Sequence, residues 1–100
     1  MLDIFGSIPN RRTRFPSPPS GTYAVFFDDA DTSPGADLCN NLVEHDVTVE
    51  LYESAPDDAA EQLIESNLDA LNIKYQKQDR YWLQDVQRYQ VIYTFSFYSK

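Results

Sequence analysis

The residues with the greatest capacity for chemistry are one cysteine and one histidine, Cys39 and His45, six positions apart. A cysteine beside a histidine can act as a nucleophile with its general base when a third group orients the histidine. His45 stands between Val43 and Val47 on the apolar side of an alternating run, where a buried or interface histidine is the more common outcome. No third group is apparent. The sequence therefore predicts a protein that is not an enzyme, with a hydrolase using Cys39 and His45 as the weakest alternative.

A second group of polar residues has nearly the spacing of a calcium loop. Asp29, Asp31 and Ser33 fall at alternate positions, and Gly35 follows. In a calcium loop the glycine comes directly after the third ligand and a glutamate closes the loop. Here a proline intervenes and an asparagine takes the closing position, so a solvated turn is favoured. We expect no metal and no cofactor, and the lone cysteine, which cannot form an internal disulfide, suggests a reducing compartment.

Length and charge narrow the classes further. One hundred residues are enough for one domain, and sixteen acids against eight bases give a net charge of −8. That charge argues against sequence-independent binding of nucleic acid, which requires a basic surface. No run approaches the roughly 20 apolar residues of a membrane span, and the first residues lack the order of a secretory signal. We expect a soluble protein that is not exported and does not contact a membrane.

Proline and glycine set the N-terminal segment apart. Residues 6–21 hold four of the six prolines and two of the three glycines, so this segment cannot run as a helix or pair along its length as a strand. We therefore predict an extended arm, 1–21, before a single domain, 22–100. The arm is either a disordered terminus or a segment that orders against a neighbouring subunit. Its candidate contact residues are Arg11, Arg12, Arg14 and Phe15, and the arginines suit an acidic neighbour better than phosphate.

The domain has a clear pattern of elements. A β-branched and aromatic strand starts at Thr22, and a clean alternation from Val43 to Tyr52 predicts a half-buried antiparallel strand. A helix follows, with Ser54 as its expected N-cap and Asn72 at its C-terminal end. Residues 73–84 and 88–98 then alternate as two more strands. The order strand, strand, helix, strand, strand predicts an α+β fold, a largely antiparallel sheet with one amphipathic helix packed on one face.

The predicted helix shows a row of acids opposite its apolar stripe. These residues are Asp58, Glu61, Glu65 and Asp69. A solvated helix face is the simplest interpretation. In a ring the same row could line the lumen and repel DNA, so that DNA slides through. A third possibility is that the carboxylates imitate phosphates, which would make the protein a small acidic DNA-mimic inhibitor of a nucleic-acid-binding enzyme.

Aromatic side chains exceed what one helix can cover. The chain has seven Tyr, six Phe and one Trp, and alternation places several large side chains on the strand face opposite the main apolar stripe. These are Phe26, Tyr52, Trp82, Ile92 and Tyr98. Large exposed aromatic patches are usually interfaces, so we predict that these residues contact other subunits, unless the arm and the long loop fold over them.

Several phrases of the sequence resemble the tail-completion, or tail-terminator, proteins of long-tailed bacteriophages. The resemblance covers roughly residues 22–98. It includes an Ala36-Asp37 step at the end of the long loop, a strand close to V-x-V-E-L-Y at 47–52 and the phrase Y-Q-V-I-Y at 89–93. Members of the family generally have an amphipathic helix before the first strand, where this chain has LDIF and then the arm.

The resemblance implies a structural role in the virion neck. Such proteins form a ring, commonly of six copies, that caps the tail tube and joins it to the head-tail connector or stopper protein, while DNA passes through the lumen. They have no catalytic residues. The resemblance thus implies that the chain's partners are itself, the tube and the connector, and that it assembles in the host cytoplasm before joining the virion.

Overall fold

The computed structural model describes residues 3–32 and 43–99. Within them the chain forms six strands and one helix in a mixed α+β arrangement, which confirms the predicted fold class. In chain order these are β1 (Asn10–Arg12), β2 (Tyr23–Thr32), β3 (Val43–Glu53), α1 (Asp58–Ala70), β4 (Tyr75–Lys77), β5 (Tyr81–Leu83) and β6 (Arg88–Ser99). The strands make one sheet in the order β1-β2-β3-β6-β4, and β5 also pairs with β6. Only the β1–β2 pair is parallel.

The two strands with the clearest alternation, β3 and β6, form the centre of the sheet. They pair antiparallel over their whole described length, from Glu53 opposite Tyr89 to Val43 opposite Ser99. Val47, Val49 and Leu51 of β3 are buried on the side that α1 covers, which we call the helix face. We call the opposite side of the sheet the far face. Because side chains alternate along a strand, each pairing partner shares its residue's face.

The helix begins at a different cap from the one expected. Asp57, not Ser54, is the N-cap, and its carboxylate accepts a hydrogen bond from the Ala60 amide at 3.0 Å. An aspartate three residues before that amide satisfies one of the free amides of the first turn. At the other end Asn72 has φ +56°, and Ile73 N donates to Leu68 O. This left-handed turn is the helix stop that Asn72 was expected to make.

The N-terminal segment is part of the domain. Ile4, Phe5 and Ile8 are buried in the same cluster as Ile64 and Leu68 of α1. The segment then pairs along β2 as the short strand β1. The boundary predicted at residue 21 therefore does not separate the arm from the core. A proline-rich composition limits how far a strand can extend, yet it still permits three paired residues and three buried apolar side chains.

The alternation predicted through residues 73–84 is interrupted by a β-bulge. Lys77 lies opposite Tyr93 and Tyr81 lies opposite Gln90, so three residues, 78–80, span the space of two on β6. One extra residue reverses which face the later side chains take. Trp82, paired with Tyr89, consequently lies on the helix face and not on the far face as predicted.

The face of β2 is likewise the reverse of the prediction. Phe26 lies opposite Val49, so it belongs to the helix face, where its ring stacks on Phe5 at 5.8 Å. Tyr23 and Val25 lie on the far face. Both faces of this strand carry large apolar side chains, so its own alternation could not decide which one meets the helix.

Candidate interaction surfaces

The arm covers part of the far face. From β1 it runs over β2, where the Phe15 ring meets Tyr23 edge-on at 5.3 Å and Tyr23 stacks on Tyr52 at 5.0 Å. Arg88 of β6 holds the end of the arm by donating to the Ser20 carbonyl at 2.9 Å. Phe15 and Tyr52 are therefore half-buried within the protomer. This agrees with the alternative in which the arm folds over the aromatic side chains of its own chain. Burial and the neighbouring Glu50 carboxylate raise the pKa of Tyr52 to about 12.

Other large apolar side chains stay exposed. Of the predicted interface residues, Tyr98 is 64% exposed and Trp82 is 38% exposed, while Ile92 is half-buried. Alternation alone had missed three more, which are Leu71, Tyr81 and Val86. Tyr81 and Val86 flank the turn between β5 and β6, and Leu71 ends the helix. The exposed apolar surface is thus divided between the β5–β6 hairpin and the opposite end of β6.

The sheet has two edges of different character. At one edge, β1 carries Arg11 and Arg12, and Arg14 follows; all three side chains are exposed, and Arg12 also donates to the Asp28 carbonyl at 3.1 Å. At the other edge, β4 covers β6 only as far as Phe95, so Ser96–Ser99 pair with β3 on one side alone among the described residues. An open cleft of about 800 Å³ lies where β4 stops covering β6, and it is lined by residues 71–74, Gln76 and 94–98.

The acidic row of α1 is mostly neutralised and only partly solvated. The bulge turns Arg80 toward the helix, where it contacts Asp58 at 2.9 Å and Glu61 at 2.6 Å. Lys77 contacts Glu61 at 2.9 Å and Glu65 at 2.8 Å. Glu61 is buried and Glu65 is half-buried, whereas Asp58 and Asp69 are exposed. Among the described contacts, Asp69 is the member of the row that joins no ion pair.

Glu53 of β3 completes this group, which we call the charged cluster (Glu53, Asp58, Glu61, Glu65, Lys77 and Arg80). Glu53 is fully buried, and its Oε1 accepts from Arg80 at 3.1 Å. Burial and the Glu61 carboxylate raise the pKa of Glu53 to about 8. Burial opposes ionisation of Glu61 as well, but hydrogen bonds with Glu53, Lys77 and Arg80 outweigh it and lower its pKa to about 2.

One proton held by the Glu53–Glu61 pair explains a further detail. Glu53 Oε2 is buried and has no hydrogen-bond partner. A carboxyl that carries a proton on this oxygen can donate to Glu61, whereas a carboxylate can only accept. The raised pKa of Glu53 and the lowered pKa of Glu61 favour a neutral Glu53 beside an ionised Glu61 at neutral pH.

His45 takes part in a second polar group at the other end of the sheet, which we call the histidine line (Asp28, His45 and Ser99). Its Nδ1 lies 2.9 Å from Asp28 Oδ1, and its Nε2 lies 2.7 Å from Ser99 Oγ. The imidazole also stacks on the Phe97 ring at 4.4 Å. The three side chains come from β2, β3 and β6, so the line ties three strands together across the sheet.

The histidine line was missed by sequence reasoning because its members are far apart in the chain. Asp28 and Ser99 become neighbours of His45 only through the pairing of Val47 with Asp28 and of Val43 with Ser99. Cys39, the partner considered from sequence, lies outside the described residues, as do Ser33 and Gly35 of the calcium-like loop. No group of three or more His, Cys, Asp or Glu side chains suited to a metal occurs in residues 3–32 and 43–99.

Comparisons with known proteins do not assign this architecture. Within the described part of the chain, no helix is long and apolar enough to cross a membrane, α1 being thirteen residues long. No family model matches the sequence, and no curated protein or solved structure matches it significantly.

Proposed function

We propose that the chain is a structural subunit of the neck or tail of a long-tailed bacteriophage, a tail-terminator protein that forms a ring. In this role it caps the tail tube and joins it to the head connector, with DNA passing through the ring. The two motifs of the family resemblance that lie in described residues, 47–52 and 89–93, fall in the second half of β3 and the first half of β6, which pair with each other. The resemblance therefore rests on the strands that build the core.

The observation that carries the proposal is the open sheet with unlike edges. Within residues 3–32 and 43–99, β1 pairs with β2 alone and Ser96–Ser99 of β6 pair with β3 alone; such edges offer backbone donors and acceptors to other chains. Exposed Tyr81, Trp82 and Tyr98 add aromatic anchors of the kind enriched in interface cores. An assembly subunit uses such features directly.

Mass measurement tests the proposal. Sedimentation of the purified chain, alone and with tail-tube and connector proteins, should give a defined oligomer that binds the tube end, and electron microscopy should show rings. A strict monomer at high concentration that binds neither partner would refute the proposal.

The DNA-mimic inhibitor has less support. Such a protein needs carboxylates spaced along an exposed surface, whereas Glu61 and Glu65 are engaged with Lys77 and Arg80. Binding of an acidic inhibitor to a nuclease should also weaken steeply as salt is added. Tight salt-sensitive binding to a DNA-binding enzyme, together with absence of self-assembly, would favour the inhibitor over the ring.

A hydrolase is favoured by one observation, the histidine line. The order Asp28, His45, Ser99, with contacts of 2.9 and 2.7 Å, is that of a nucleophilic serine with its base and orienting carboxylate. A small activated ester such as p-nitrophenyl acetate tests it. Ser99→Ala should abolish hydrolysis if Ser99 is the nucleophile, whereas a purely structural line leaves any background rate equal in the variant and the wild type.

A further inference from the structure

Positive charge is concentrated at one edge of the sheet. Three of the chain's eight lysines and arginines lie there: Arg11, Arg12 and Arg14. Lys77 and Arg80 are held in the charged cluster, and Arg88 binds carbonyls of the arm. Apart from Lys74, the β1 edge is therefore the basic part of the described surface, on a chain whose net charge is −8.

This distribution limits how two copies can meet. Copies with a net charge of −8 repel one another at long range, so close approach is favoured where a basic patch faces an acidic one. A twofold contact between two β1 edges would bring two sets of arginines together. A twofold contact between two copies of the other edge, at the end of β6, would bring two sets of acids together. A head-to-tail contact, with the β1 edge of one copy against the opposite edge of the next, avoids both.

The opposite edge has acids at the required place. We call Ser96–Ser99 of β6 the uncovered stretch, since no strand among the described residues pairs with its outer side. Behind it lie Glu44 and Asp46 of β3 on the far face. Tyr98 OH donates to Glu44 at 2.9 Å, and Ser96 Oγ donates to Asp46 at 2.6 Å, so both carboxylates are held at this end of the sheet. These hydrogen bonds leave acceptor capacity on each carboxylate for an approaching cation.

The charged side chains of the two edges also lie on the same face of the sheet. Arg11 lies opposite Val25 and therefore on the far face, the same face as Glu44 and Asp46. If the sheet of one copy continues into the next with its faces in the same sense, Arg11 is directed toward those two acids. The length also fits, because β1 has three residues and the uncovered stretch has four.

We propose that copies of this chain join head to tail by continuing the sheet, with β1 of one copy alongside Ser96–Ser99 of the next. Backbone hydrogen bonds supply the contact, and Arg11 facing Glu44 and Asp46, with the exposed Arg14 two residues beyond β1, fixes its direction. The contact rests on the proposed function, for which it is the link between subunits. Because it is heterologous, its repetition closes into a ring when the rotation between copies allows.

Two charge-reversal variants test the contact. Arg11→Glu with Arg14→Glu makes the β1 edge acidic, and Glu44→Lys with Asp46→Lys makes the other edge basic. Each variant alone has edges of the same sign, so each should lose the assembled species at concentrations where the wild type is assembled. An equal mixture should restore assembly, because the two variants then alternate with opposite charges at every contact. Sedimentation at about 0.1 M salt, where the Debye length is about 10 Å, measures both results.

A control away from both edges is Gln62→Glu with Ser66→Glu, two exposed positions of α1 that gain negative charge, and it should leave assembly intact. Circular dichroism establishes that each variant is folded. If the arginine variant assembles like the wild type, or if the mixture of two folded variants stays unassembled, the head-to-tail contact is wrong while a ring built another way remains. If the wild type itself is a strict monomer and binds neither tube nor connector, the contact and the proposed function fail together.

Discussion

Each end of the sheet contains a group of interacting polar side chains, one mainly ionic and the other mainly hydrogen-bonded. At the end near the β5–β6 hairpin, the charged cluster lies beneath the helix and is built on the buried carboxyl of Glu53. At the other end, the histidine line joins three strands through His45, beyond the buried stretch of β3 that the helix covers. The cluster depends on balanced ionisation around two buried carboxyls, Glu53 and Glu61. The line depends on two hydrogen bonds and a stacked ring around a single imidazole.

This difference should appear when single members are removed. Taking one partner from a buried ionic group leaves charges that water cannot reach, which costs far more than a lost surface pair. Removing one member of the line breaks a hydrogen bond of ordinary strength. Unequal losses of stability at the two ends therefore measure the contrast directly.

The largest effect is expected from Arg80→Met. It keeps the length of the side chain but removes the donor to the buried Glu53 and one of the two cations that contact the buried Glu61, so unfolding free energy should fall by about 3 kcal/mol. Chemical denaturation at pH 7 measures it, with Lys74→Met, an exposed base on the same segment, as the control. Equal small losses in both variants would show that the cluster contributes little.

An intermediate effect should come from pH. The folded-state pKa of Glu53 is raised to about 8 from the usual 4.5, so the folded state holds a proton that the unfolded chain releases. Stability from this group is complete below pH 4.5 and is lost as pH rises toward 8.

Glu53→Gln isolates this pH effect. Glutamine retains a donor toward Glu61 without an ionisable proton, so the variant should lose much less stability than the wild type between pH 5 and pH 8. Glu50→Gln on the same strand should keep the wild-type slope. Parallel curves for wild type and Glu53→Gln would mean that Glu53 is ionised in the folded protein.

The smallest effect is expected at the histidine line. Asp28→Ala removes the hydrogen bond to His45 Nδ1 and the 3.8 Å contact with Arg12, and it should lower unfolding free energy by about 1 to 2 kcal/mol. Asp29→Ala, the exposed neighbour, should change it by less than about 0.5 kcal/mol. A loss at Asp28 as large as that for Arg80→Met would reverse the contrast between the two ends.

The sequence was sufficient for the elements whose signals are local. The alternation of β3 and β6 and the apolar spacing of α1 predicted three elements and the fold class, because each pattern matches one repeat over ten residues or more. β1 was not predicted, since a three-residue strand between prolines has no period to detect.

Other properties were decided by contacts between distant residues. The face of Phe26 follows from its pairing with Val49, and that of Trp82 from one extra residue at 78–80. The burial of Glu61 follows from Arg80, which the same bulge aims at the helix. Local periodicity cannot contain this information, so the prediction was wrong for the buried Glu61 of the acidic row and for Phe26 and Trp82 of the aromatic surface, whereas Asp58 and Asp69 are exposed as expected.

The bulge makes the length of this stretch as important as its composition. Deleting one residue from 78–80 would leave a regular strand that still pairs with β6, so the sheet itself need not be lost. Every side chain on one side of the deletion would, however, change faces relative to those on the other. Arg80, which contacts Glu61, would move away from it, and Trp82 would leave the helix face for the far face. We expect this hairpin to accept many substitutions but to tolerate insertion or deletion of a single residue poorly.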